Sequence, residues 1–171
     1  DGKPIGSSSL YQGDATLIDI VKNRDPRLNQ TVCVNDNLHP RTNNRPGGLP
    51  NEEFTNPIVD QATEDNCSTG FQRYKGTDPN YVKQFNGMGD AGLIFFRYAE
   101  VLLTYAEAKA ELGTITQADL DLSINKLRDR VQMPNLVLGS IVTDANWGFP
   151  ALSPIINEVR RERRIELAVE G

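Results

Sequence analysis

Regular hydrophobic spacing is confined to the second half of the chain. Between residues 97 and 112, Tyr98, Val101, Leu102, Tyr105, Lys109 and Leu112 recur at intervals of three and four, the repeat of one face of an α-helix. Glu100, Glu107 and Glu111 gather on the opposite face. Ala99, Ala106, Ala108 and Ala110 keep the flanks thin enough for another helix to approach closely. Gly113 stands where a left-handed residue closes a helix. A second helix is predicted from Thr116, an N-cap residue type with Asp119 at the capping-box position. Its stripe is Leu120, Ile124, Leu127 and Val131, and Pro134 lies just past its end. Two helices joined by about three residues form an antiparallel αα-hairpin. That is the unit of a tetratricopeptide-like repeat, and no second copy is visible in the sequence.

A third helix is predicted from Ser153 as N-cap, with Pro154 at the first helical position. Leu152, Ile155, Ile156 and Val159 set its apolar face, which helical geometry carries on through Arg163, Glu166 and Leu167. Charges on a face that should pack predict buried or half-buried ion pairs. Arg163 is expected to be largely buried and to grip a carboxylate with both arms of its guanidinium. Arg97 and Glu100, at the start of the first helix, are the expected partners of Arg163 and Glu166. Such pairs define one docking geometry more than they add stability, yet removing one member strands the other at about 3–5 kcal/mol.

Residues 1–92 read differently. Five of the ten prolines fall between Pro26 and Pro57, and Asn, Asp and Gly punctuate the rest. A short helix is predicted at 17–22 and short strands at 31–34 and 81–85. The expected architecture is mainly α: a tetratricopeptide-like αα-hairpin with an additional helix over 93–171, and a loop-rich lobe with little strand over 1–92, both in one domain.

Charge and composition narrow the chemistry. A net charge of −5 argues against a nucleic-acid surface, which needs a basic stripe. No apolar run is long enough to span a bilayer, and no signal peptide is visible. His39 is the only histidine and Cys33 and Cys67 are the only cysteines, so His-rich and four-cysteine zinc sites and any C-x-x-C redox motif are excluded. Gly87-Met88-Gly89-Asp90-Ala91-Gly92 matches G-x-G-x-x-G literally, but the following helix leads into another helix and not into a βαβ unit, so it reads as a flexible loop. Asp60, Glu64 and Asp65 are too irregular for a calcium loop. His39 has no nucleophile elbow to serve, so no catalytic residue, cofactor or metal is predicted.

The loop-borne aromatics carry more. Sugars present C–H faces that stack on aromatic rings, and polar side chains bond their hydroxyls. Trp147 beside Asn146, and the run Phe71, Gln72, Arg73, Tyr74 and Lys75, combine both groups, and Tyr81 lies nearby in sequence. Trp147, Asn146, Tyr74, Arg73, Phe71 and Tyr81 are therefore the ligand-contact candidates, with loop packing the alternative role for any one of them.

The helical segments also carry a resemblance. RYAEVLLTYAEA (97–108), the Leu112-Gly113 turn, INKLR (124–128) and RRERRIELAVEG (160–171) are similar to the SusD/RagB family, and RDPRL (24–28) looks like a further family element. The resemblance implies an all-α scaffold of tetratricopeptide-like hairpins carrying a less regular lobe. It implies a cell-surface lipoprotein of the outer membrane, anchored through a segment upstream of this chain, which would be a middle-to-C-terminal part of a longer protein. It further implies a non-enzymatic role, a glycan or glycopeptide ligand, and a TonB-dependent, SusC-like transporter as partner. The family's helical motifs map onto scaffold positions, so no ligand residue carries over. The rival reading is a helical-repeat adaptor that binds a protein or peptide. The oxidising compartment implied by the resemblance favours a Cys33–Cys67 disulfide over two buried free thiols.

Overall fold

A computed structural model describes residues 3–34, 59, 67–76, 92 and 94–170. The elements are α1 (Leu17–Val21), α2 (Pro26–Thr31), β1 (Val32–Cys33), β2 (Gln72–Arg73), α3 (Tyr98–Glu111), α4 (Gln117–Leu122), α5 (Ile124–Arg130) and α6 (Pro154–Glu166). The fold is mainly helical, with one small two-stranded sheet among the described residues. The chain divides into two compact units. One holds residues 1–12, 23–27 and 94–171; the other holds 13–22 and 28–93. Residues 1–12 and 23–27 thus belong with the helices, where the sequence pattern grouped them with the loops.

In the second unit, the Thr16 side chain caps α1 by accepting the Asp19 N–H. Strands β1 and β2 run antiparallel, with Val32 opposite Arg73 and Cys33 opposite Gln72. Both cysteines are free thiols, which corrects the expected bridge. Cys33 is buried in β1, while the Cys67 thiol donates to the Phe71 carbonyl at 2.8 Å. A tight turn, closed by Gly70 N–H on the Cys67 carbonyl, holds that sulfur over its own backbone. Alkylation of the unfolded chain without reductant is expected to modify both cysteines; a mass that reports a retained bridge would refute this. The predicted 81–85 strand and His39 lie outside the described residues.

The helical unit follows its local signals closely at the helix ends. Gly113 takes a φ of +66° after α3, a conformation that glycine alone adopts without steric cost. Thr116 and Asp119 make a reciprocal capping box at the start of α4. The Asp119 carboxylate also accepts the Tyr105 hydroxyl of α3, and this bond, with those from Thr116, holds its pKa well below the ordinary aspartate value. The predicted second helix is broken at Ser123, which separates α4 from α5. The fully buried Ser123 hydroxyl bonds the Asp119 carbonyl at 2.6 Å, an i−4 back-bond of the kind that bends helices.

The core differs from the predicted stripe. α3 buries Ala99, Leu102, Leu103, Ala106 and Ala110, whereas Tyr98 and Val101 remain 67% and 60% exposed. Of the predicted α3 face, Leu102 alone is buried. The small residues face α4 to α6, and the alanines let the neighbouring helices come close. Ala106 and Ala110 meet Leu120, Ile124, Leu136 and Val159 in one cluster; Ala99, Leu102, Leu103 and Leu127 form another.

Candidate functional site

Helix α6 is fastened to its unit by charge. Its buried face carries Glu158, Glu162 and Glu166, one turn apart, on the same side as Val159. Glu162 is fully buried between two arginines: Arg27 Nη1 lies 2.6 Å from one of its oxygens, and Arg128 Nη2 lies 2.9 Å from the other. Glu166 accepts hydrogen bonds from Arg27, Arg97 and Arg130 at 2.7–3.1 Å. Burial would raise its pKa, but those three guanidinium groups outweigh it and bring the carboxyl down to about 2. Asp25 grips Arg27 at Nε and Nη2, and Glu158 grips Arg161 in the same way. Glu170 adds an outer contact to Arg97 at 2.6 Å.

The expected ion-pair residues therefore divide. Arg97 meets Glu166, and Arg163 faces Glu100, as the sequence suggested, but Arg163 is not buried. It stays 32% exposed, 3.8 Å from Glu100 and 3.6 Å from Glu107, and donates to the Thr104 hydroxyl. The packing face of α6 is rotated toward Glu158 and Glu162, which leaves Arg163 on its margin. Replacing Arg163 with alanine is accordingly expected to cost no more than about 1 kcal/mol in a melting experiment. A loss near that of a stranded buried charge would show that the side chain is buried after all. The residues missed by the sequence reading, Arg27, Arg128, Glu158 and Glu162, had one visible signal: three glutamates spaced by four on an otherwise apolar face.

The loop between α5 and α6 is pinned at both ends. The buried Asn125 side chain bonds both the N–H and the carbonyl of Leu136, at 2.6 and 3.1 Å. Gln117 does the same across the Leu136 carbonyl and the Leu138 N–H. At the far end, the Asn157 amide donates to the carbonyls of Phe149, Leu152 and Ser153. Between these anchors, Asp144 opens a turn by accepting the Asn146 N–H on its side chain and the Trp147 N–H on its carbonyl. Asn146 is exposed on this turn and Trp147 is half-buried, its indole N–H buried without an acceptor among the described residues. Phe71, Arg73 and Tyr74 lie at and beside β2 in the other unit, with Arg73 exposed. Tyr81 lies outside the described residues. Asn146 and Trp147 thus belong to one unit, and Phe71, Arg73 and Tyr74 to the other.

Two recesses can be traced among the described residues of the helical unit. The first encloses about 280 Å³ and is walled by the 3–11 and 23–25 segments, Met133, Asp144 and the α6 residues Glu158, Arg161 and Ile165. The second, of about 160 Å³, runs along residues 134–142 and shares Lys3 and Glu158 with the first. The first is close to the lower end of the size range of small-ligand pockets. Tyr11 adds an aromatic ring to its wall, Ile5 and Ile165 add apolar surface, and Arg161 and Asp144 add hydrogen-bonding groups. No cluster of metal-ligating side chains occurs among the described residues.

These features define a mainly α, tetratricopeptide-like scaffold whose last helix is stapled by buried arginine–glutamate pairs. The SusD family profile matches residues 1–171, and the chain belongs to that family. A SusD-like protein of Formosa agariphila is 35% identical over 82 residues, which is 48% of this chain and 16% of that protein. Two crystal structures from Bacteroides fragilis share the fold, each with a TM-score of 0.59. One, a SusD-like protein, is 26% identical over 88% of this chain and 27% of its own. The other, a SusD-like carbohydrate-binding protein, is 30% identical over 96% of this chain and 29% of its own. The chain therefore spans less than a third of these relatives' length.

Proposed function

We propose that this protein is a non-enzymatic, cell-surface nutrient-binding component of the outer membrane. It captures oligosaccharides or glycopeptides and delivers them to a TonB-dependent, SusC-like transporter. The observation that carries this reading is the family match over all 171 residues. The relative described as carbohydrate-binding supports the ligand class. The pinned loop that presents Asn146 and Trp147, and borders the first recess through Asp144, supplies the aromatic and amide groups that suit a sugar. Phe71, Arg73 and Tyr74, grouped at β2 of the other unit, are proposed separately as ligand contacts of that unit.

A glycan array with the full chain tests the ligand class: selective retention on some polysaccharides or glycopeptides is expected, and a uniformly blank array would sink the reading. Incubation with retained glycans should yield no shortened products, and reproducible turnover would overturn the non-enzymatic role. Purification from native membranes tests the partner. A large barrel transporter is the expected companion. A soluble protein in its place would favour the adaptor reading, which draws on the exposed α3 stripe of Tyr98, Val101 and Leu112.

A further inference from the structure

The apolar repeat read along α3 is left uncovered by the fold. Tyr98, Val101, Tyr105, Ala108 and Leu112 alternate at intervals of three and four, the spacing of a coiled-coil seam. All five are exposed, while the residues that α3 buries against its own unit lie on another face. Phe95 and Phe96, just ahead of the helix, are 78% and 86% exposed. Scattered apolar residues on a surface are ordinary, but a contiguous apolar strip marks a contact surface.

The charges that border this strip are met inside the unit. Arg97 pairs with Glu166 and Glu170, and Glu111 pairs with Arg160. Lys109 stands over the Tyr105 ring and 3.4 Å from Asp119. The Tyr105 hydroxyl bonds Asp119, which sets that ring in place before any partner arrives. The strip therefore asks its partner for apolar surface first.

The seam is complementary to itself when two copies of α3 run antiparallel about residue 103. Tyr98 of one copy then faces Ala108 of the other, and Val101 faces Tyr105, so each ring meets a smaller side chain. Leu112 reaches toward the 94–96 segment of the other copy. Beside these layers Arg97 faces Glu111, and Thr104 faces Thr104, so no like charges oppose across the two-fold axis. A parallel pair would set ring on ring at 98 and 105 and leave a gap at Ala108. Phe95, Phe96, Tyr98 and Tyr105 together expose roughly 400–700 Å² per copy, at about 150–250 Å² for a whole ring. Val101 and Leu112 add to this, and a stable interface takes about 800 Å² from each partner.

We propose that this face of α3 is a two-fold interface between copies of this chain, paired antiparallel through the Tyr98–Leu112 seam. None of the seam residues lines either recess, so the pairing uses no part of those candidate ligand surfaces.

Sedimentation velocity of the full chain tests this. A dimer is expected at about 100 μM, falling to monomer on dilution, as suits an interface at the lower end of the stable size range. Raising salt to about 1 M should leave the dimer in place, because the seam is apolar. Val101→Glu should raise the dissociation constant at least about tenfold, with unchanged helical circular dichroism, since the side chain is exposed. Tyr98→Lys or Ala108→Glu alone should also weaken the dimer. The two together should restore it, because the antiparallel register sets the new charges of opposite sign against each other; a parallel pair would oppose like charges and stay apart. A chain that remains monomeric at the highest concentration overturns the proposal and assigns the seam to a helix outside this sequence. A dimer indifferent to Val101→Glu overturns the seam, failure of the paired charges to restore it overturns the antiparallel register, and growth beyond two copies overturns the closed two-fold pairing.

Discussion

Replacing Arg27 with alanine is expected to lower the melting temperature by roughly 10 °C or more. Arg27 is 4% exposed and meets Asp25, Glu162 and Glu166 together. Without it, Asp25 loses both guanidinium donors and Glu162 keeps Arg128 as its only ion-pair partner among the described residues. Removing one side of a buried ion pair costs about 3–5 kcal/mol, mainly because the other charge is left desolvated. For a chain of this size each kcal/mol moves the midpoint by about 2–4 °C. Arg27→Lys should fall between, since it keeps the charge but loses the fork that reaches several carboxylates. A double replacement of Arg27 and Glu162 by leucine should recover part of the loss, because no uncompensated charge remains at that pair. An Arg27→Ala protein that melts with wild type would mean that these carboxylates are solvated and that the segment at 23–27 does not hold α6.

Acid is expected to weaken the same joint in a defined window. Glu166 has a folded-state pKa near 2 against an ordinary value of 4.5, and its side chain is 2% exposed. A depressed carboxylate stabilises the fold above its unfolded pKa and loses that contribution as pH falls through its folded one. The window therefore runs from about pH 4.5 down to about pH 2, and the full contribution is about 3 kcal/mol. Asp25, lowered by its bonds to Arg27 despite burial, and Asp119, lowered by Tyr105 and Thr116, act in the same direction. Melting curves across this range should show a falling midpoint, and Glu166→Gln should flatten it while lowering the plateau at neutral pH. A midpoint that is constant from about pH 5 to about pH 2.5 would remove the ionised Glu166 from the account.

The helical portion was legible because its signals are local. The capping box of Thr116 and Asp119, the left-handed Gly113 and the Ser153-Pro154 start each depend on residues within a few positions, so the sequence names both partners. The family motifs over the same helices were equally readable, since they record these local and packing requirements together. The candidate site was less so. Asn146 and Trp147 were identifiable as a loop pair, but the recess beside them is assembled from residues near 3–11, 23–25, 133–144 and 158–165, which no single window of sequence brings together.

What the sequence alone determined is the close of α3 at Gly113, the starts of α4 and α6, and that α6 carries charge on a face that must pack; the break at Ser123 and the helix α2 were not written in it. The tertiary structure decided which face of α3 is buried and which partners neutralise α6. Periodicity gives an amphipathic stripe, yet a helix packed closely against neighbours is better served by Ala99, Ala106 and Ala110 than by Tyr98 and Tyr105. Glu166 finds Arg27 from 139 residues away, and nothing in either local pattern encodes that meeting. The same holds for the thiols: two cysteines permit a bridge, but the chain path decides whether the sulfurs meet, and the turn at 67–71 keeps Cys67 on its own backbone. Local interactions are written in neighbouring residues; a buried charge is settled only when distant segments remove its water and must supply the counter-charge themselves.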